Sequence, residues 1–286
     1  MLVDTHCHIQ FQGYKDNLEE VINRCKEKNT ILNLVGTQKD TSRLAVLLAE
    51  KYDWMVASIG THPNHLFPTH IDEEESHFMS REEDFDEEYY ENLAKSKKVV
   101  AIGECGLDLF HLPENIPLET VLEKQKKVFT KHYLFAEKHG LAMVIHCRDA
   151  HDHQIKLLNE LRGDKQIRGT VHCYTSNWEY ASEYLKMGLH IGFTGVITFP
   201  PRKADPQAQA DLLEVVKNIP MDRFVLETDS PYLAPIPYRG KRAEPWMVEE
   251  VAKKIAQIKQ ISLPEVEKAS TENAMRLLRL ELNSKG

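Results

Sequence analysis

The sequence predicts a single-domain α/β protein built as a parallel (β/α)8 barrel of the TIM type. Three observations predict it. Short apolar runs recur eight times, most of them followed by a segment with helical spacing. The chain has 286 residues, against the ~250 such a barrel typically needs. Residues able to bind a metal fall at the ends of the apolar runs, the end at which barrel sites are assembled.

The runs are Leu2–His8, Ile31–Thr37, Met55–Thr61, Val99–Glu104, Ala142–His146, Gly169–His172, Leu189–Thr194 and Arg223–Glu227. Most are rich in Val and Ile, as strands covered on both faces should be. Between them, helical spacing predicts Leu18–Lys28, Ser42–Tyr52 with Ser42 as its cap, and Leu118–His139 with apolar positions Val121, Leu122, Val128, Phe129, Leu134 and Phe135. Ala150–Leu161, Trp178–Met187 and Ala208–Asn218 continue the alternation, and Pro245–Leu282 reads as two amphipathic covering helices. An open doubly wound sheet competes, but no Gly-rich phosphate loop follows the first strand.

Residues 72–91 hold eleven Asp and Glu against one basic residue, Arg81. This insertion, spanning about 70–92, should form a solvated loop plus a charged helix between the third and fourth strands. It accounts for most of the net charge of −8, which argues against a generic nucleic-acid binder. No run approaches the ~20 apolar residues of a membrane span. Five cysteines without a Cys-x-x-Cys pair argue against a disulfide framework and for a reducing, cytoplasmic setting. No obligatory protein partner is implied.

The candidate ligands are His6, His8, Glu104, His146, His172 and Asp229. Alternate strand residues share a face, so His6 and His8 point together and Cys7 points away. Glu104, His146 and His172 each end a strand of their own, and Asp229 follows the last one. A carboxylate at the end of an apolar strand is costly to bury without a partner. Six nitrogen and oxygen ligands exceed a four-ligand structural zinc site and fit two divalent cations, Zn, Mn or Mg, sharing a carboxylate. Barrel order places His6, His8 and Asp229 on one, His146 and His172 on the other, and Glu104 between. Cys7, Cys105, Cys147 and Cys173 each follow a ligand and should pack outward under the helices.

Several strings together resemble the TatD family of metal-dependent deoxyribonucleases: Asp4-Thr5-His6-Cys7-His8, Gly60-Thr61-His62-Pro63, Gly103-Glu104-Cys105-Gly106-Leu107-Asp108, His146-Cys147-Arg148-Asp149-Ala150, His172-Cys173-Tyr174 and Glu227-Thr228-Asp229-Ser230-Pro231. The Pro235–Pro245 segment fits as well, and the match runs from residue 3 to about 278. The resemblance implies an amidohydrolase-type barrel, the same six ligands, and a hydrolase acting on DNA phosphodiesters, with single-stranded ends as the expected substrate. Asp229 and Glu104 would be catalytic, Asp229 taking the proton of the attacking water. His62, Arg148 and Arg239 are expected to grip phosphate, and Tyr174, with Trp178 and Tyr232, to meet a base. Such a centre also suits an aminoacyl-tRNA ester or a small phosphoester. Six intact ligand positions oppose a non-catalytic scaffold.

Overall fold

A computed structural model describes residues 1–68 and 82–280. Eight strands form one parallel sheet in the order β1 to β8. They are β1 (Leu2–Cys7), β2 (Thr30–Val35), β3 (Met55–Ile59), β4 (Val99–Asp108), β5 (Ala142–Arg148), β6 (Gly169–Val171), β7 (His190–Phe193) and β8 (Phe224–Leu226). All eight predicted strands are present. β4 runs four residues past Glu104 because Gly106, Leu107 and Asp108 go on pairing with His146, Cys147 and Arg148 of β5. An isolated parallel bridge, Cys7 with Ser230, brings the last strand back to the first. There His8 N–H donates to Ser230 O at 2.8 Å and Asp229 N–H to His6 O at 2.9 Å.

The helices are α1 (Leu18–Glu27), α2 (Lys39–Ala49), α3 (Glu87–Leu93), α4 (Leu118–His139), α5 (His151–Arg162), α6 (Trp178–Lys186), α7 (Pro206–Asn218), α8 (Val248–Lys259) and α9 (Leu263–Leu278). Helix α2 begins three residues before the predicted start. Ser42 is not its cap, because it is buried and its Oγ accepts from Gly60 N–H at 3.1 Å, tying the helix to the end of β3. Thr41 does the terminal work instead, its Oγ1 accepting from Gln38 N–H at 3.1 Å. Helix α4 ends where Gly140 takes φ 62°, a left-handed stop that glycine adopts without a Cβ penalty. Of its six predicted apolar positions, five are buried and Leu134 faces solvent. The charged helix predicted inside the acidic insertion is α3, whose N-cap Asp86 accepts from Tyr89 N–H at 3.1 Å. Residues 70–81 of that insertion lie outside the described residues, as do 281 and 282 of the C-terminal cover.

The main core lies between strands and helices, where Leu32, Leu34, Ile59, Phe129, Phe193 and Phe224 are almost wholly excluded from water. Each such side chain contributes roughly 1.5–3 kcal/mol by burial. This packing supplies the rigidity that the strand ends need in order to hold a site. Cys7, Cys105 and Cys147 pack in it as predicted. Cys173 departs from the pattern: its φ of 43° turns it off the strand end, and it is only half-buried, with Sγ 3.3 Å from Thr194 Oγ1.

Candidate metal centre

The strand ends bring five histidines and four carboxylates together. All six sequence-predicted ligands are among them. Glu104 is the hub. Its Oε2 lies 3.3 Å from His6 Nε2. Its Oε1 lies 2.9 Å from His146 Nδ1, 3.4 Å from His62 Nε2 and 3.7 Å from His172 Nε2. Asp229 Oδ1 lies 3.4 Å from His8 Nε2 and 3.7 Å from both His6 Nε2 and His172 Nε2. The His6 and His172 rings stack with centroids 3.5 Å apart.

Most of the candidate ligand rings are oriented from behind. His8 Nδ1 meets Val35 O at 2.7 Å, His172 Nδ1 meets Glu227 Oε2 at 3.0 Å, and His146 Nε2 meets Asp108 Oδ2 at 2.9 Å. A partner on one ring nitrogen fixes the tautomer and leaves the other nitrogen to face the site. Sequence reasoning named the motifs containing Asp108 and Glu227 but gave neither a role. The signal was the period of two. Asp108 shares strand parity with Glu104, and Glu227 shares it with Asp229.

His62 joins the same cluster from the turn after β3, and its role differs. Asn64 N–H donates to His62 Nδ1 at 3.1 Å. The proton of the neutral ring therefore sits on Nε2, which faces Glu104 as a donor and has no lone pair to offer a metal. Burial further lowers its pKa.

The electrostatics divide the histidines. Burial, with His172 close by, lowers His6 to about 4. Burial opposes charge on His8, His146 and His172 as well, but their carboxylate neighbours win. Asp229 raises His8, Asp108 and Glu104 raise His146 to about 9, and Glu227, Glu104 and Asp229 raise His172 to about 10. Glu104 would rise by burial, yet His62, His172 and His6 hold it well below the usual carboxylate range.

The donor set fits divalent cations. Among the described residues, the ionic partners of Glu104 and Asp229 are histidines, with no lysine or arginine to balance the buried carboxylates. His6 Nδ1 is buried without a partner. Glu104 forms a ligand-sized group with His6 and His8.

The remaining predicted residues divide. Arg148 is exposed at the end of β5 with its guanidinium 3.7 Å from the centre of the Phe110 ring. Arg239 is exposed and lies 3.9 Å over Phe199. Tyr174 does not stand at the mouth: it is 3% exposed, its hydroxyl donates to Asn177 O at 2.5 Å, and its ring packs near His151 and Tyr184. A ring held in that way cannot stack a base, which corrects the expectation. Trp178 and Tyr232 are half-buried.

The family model described as TatD related DNase matches residues 3–279. The chain belongs to the TatD family. It is a metal-dependent hydrolase of the amidohydrolase superfamily. It is 38% identical over 281 residues to the metal-dependent hydrolase YabD of Bacillus subtilis, covering 98% of this chain and 100% of that one. It is 32% identical over 273 residues to the 3'-5' ssDNA/RNA exonuclease TatD of Yersinia pseudotuberculosis, covering 93% and 95%. Among solved structures, the TatD homologue YjjV of Escherichia coli superposes with a TM-score of 0.79 at 23% identity, over 98% of each chain. That TatD fold is the barrel predicted from the sequence.

Proposed function

We propose that this chain, as one TatD-like domain, is a two-metal deoxyribonuclease that hydrolyses phosphodiester bonds from single-stranded DNA ends in the cytoplasm. The observation that carries the reading is the division of Glu104. One carboxylate oxygen faces His6 and the other faces His146, as a carboxylate bridging two cations requires. His6, His8 and Asp229 would hold one cation, His146 and His172 the other. Zn, Mn and Mg all suit these donors. When bound, the cations would lower the pKa of a water and neutralise phosphoryl charge.

The chain's own residues supply the rest. Asp229 is catalytic: its carboxylate accepts the proton of the attacking water as the new P–O bond forms. The bond from phosphorus to the leaving oxygen breaks, and that oxygen takes a proton from solvent. Glu104 is the second catalytic residue, holding the centre together. His62 Nε2–H donates to a phosphoryl oxygen, and Arg148 and Arg239 supply charge at the rim. Resemblance to an exonuclease of single-stranded DNA and RNA supports this substrate class. The free state of all five cysteines suits a reducing compartment.

The test is a substrate panel run with Mg²⁺, Mn²⁺ and Zn²⁺ in parallel. Metal-dependent release of nucleotides from single-stranded DNA ends, lost in Asp229→Asn, is expected. Deacylation of charged tRNA or hydrolysis of a small phosphoester, with DNA left intact, would overturn it.

A further inference from the structure

Phe110 is a large apolar side chain left 55% exposed at the rim of the metal centre. It lies on the loop that leaves β4, two residues after Asp108. The guanidinium of Arg148 covers one face of its ring, 3.7 Å from the centroid, and His111 meets it edge-on at 4.8 Å. An exposed phenylalanine is unremarkable alone. Its attachment is what makes this one informative. Asp108 Oδ1 accepts from Phe110 N–H at 2.8 Å and from His111 N–H at 2.7 Å, while Oδ2 lies 2.9 Å from His146 Nε2. Leu109 N–H donates to Arg148 O at 2.9 Å. The carboxylate that orients a candidate metal ligand therefore also fixes the loop carrying the exposed ring.

We infer that Arg148 and Phe110 form a stacking platform for the nucleobase next to the scissile phosphate of a single-stranded nucleic acid. The inference rests on the nuclease reading above and specifies how its substrate is held. A guanidinium seated over an aromatic ring is pre-ordered, and its planar outer face can stack a base. Among the described residues no hydrogen bond or ion pair takes up its N–H groups, which can therefore meet phosphate. Arg148 stands two residues beyond His146, about 7 Å along an extended strand, which is the scale of one nucleotide step. The platform presents no base-reading carboxamide, so it accepts all four bases, as stacking surfaces do. It also takes the role that buried Tyr174 cannot fill. In a chain of net charge −8, a contact that does not depend on overall charge has added value for a polyanionic substrate.

The experiment compares single strands whose terminal nucleotide carries a base with the same strands ending in an abasic nucleotide. The metal-loaded wild-type protein, Phe110→Ala, Phe110→Trp and Arg148→Lys are assayed for KM and kcat. Wild type should show a KM roughly 5- to 100-fold lower for the strand with the base. That ratio should fall towards one in Phe110→Ala and return in Phe110→Trp. Arg148→Lys, which keeps the charge and loses the plane, should reduce the ratio as well. Cleavage by Phe110→Ala with the wild-type ratio would overturn the platform and leave the nuclease reading standing. Failure of the wild type to cleave either strand would overturn the nuclease reading and the platform with it.

Discussion

Glu227 Oε2 lies 3.0 Å from His172 Nδ1 and also accepts from Cys173 N–H at 2.9 Å. The carboxylate is fully buried, and it turns His172 so that Nε2 faces Glu104 and Asp229. Such partners behind a ligating histidine typically matter 10- to 100-fold in metal affinity. Glu227→Gln should weaken binding of divalent metal by about that factor while the barrel stays folded, read by competition with a chelator and by circular dichroism. Unchanged affinity would separate Glu227 from the centre.

The position of Glu227 depends in turn on a glycine of β7. A Cβ built on Gly192 would lie 2.3 Å from Glu227 Oε1, closer than any real contact. The carboxylate occupies the space a side chain would need. Gly192→Ala should therefore act through Glu227 and His172, giving a loss of metal affinity in the same roughly 10- to 100-fold range. Placed in the Glu227→Gln background, it should add little, because residues sharing one contact are not additive. Full additivity in that double-mutant cycle would refute the coupling.

The fold and the cluster of candidate ligands were legible because both follow from periodicity. Runs covered on two faces read as continuous apolar stretches, and ligands at strand ends stand out against them. The supporting shell was less legible. Asp108 lay beyond the predicted end of β4, and continued pairing with β5 as far as Arg148 keeps it in the strand. Gly192 needs to be small because of a residue thirty-five positions away, which no local pattern encodes. Tyr174 was misplaced because a motif position does not say which way a ring turns after a strand ends, and here it turns into the packing with Tyr184.

The seam between β8 and β1 rests on Asp4. Its Oδ1 accepts from Thr228 N–H at 2.9 Å and His6 N–H at 3.2 Å, and its Oδ2 accepts from Thr228 Oγ1–H at 2.5 Å. Asp4→Ala would leave buried donors unpaired, each at a cost of about 1–3 kcal/mol. We expect a loss of roughly 2–5 kcal/mol, measured as a lower urea midpoint. Asp4→Asn keeps one acceptor oxygen, and the Thr228 hydroxyl can turn to accept from the new amide, so it should lose less than half as much. Equal losses in the two variants would show that packing, not hydrogen bonding, closes the seam.

Away from the metal centre, His132 of α4 is a neutral acceptor. Thr61 N–H donates to its Nε2 at 3.0 Å, and Nδ1–H donates to Val128 O at 2.9 Å. Burial lowers its pKa from 6.5 to about 4. The unfolded chain therefore binds a proton between these values that the folded chain refuses. The contribution to stability is complete above about pH 6.5 and is lost as the pH falls towards 4, by up to roughly 3 kcal/mol for one such group. His151 and His190, also lowered to about 4 by burial, act with the same sign. Protonation at His132 would in addition set an N–H against the Thr61 N–H. His132→Gln keeps an acceptor that does not titrate. Its urea midpoint should be lower than wild type at pH 7.5, yet it should fall less steeply between pH 6.5 and 4.5. Parallel curves for the two proteins would remove His132 from the acid response.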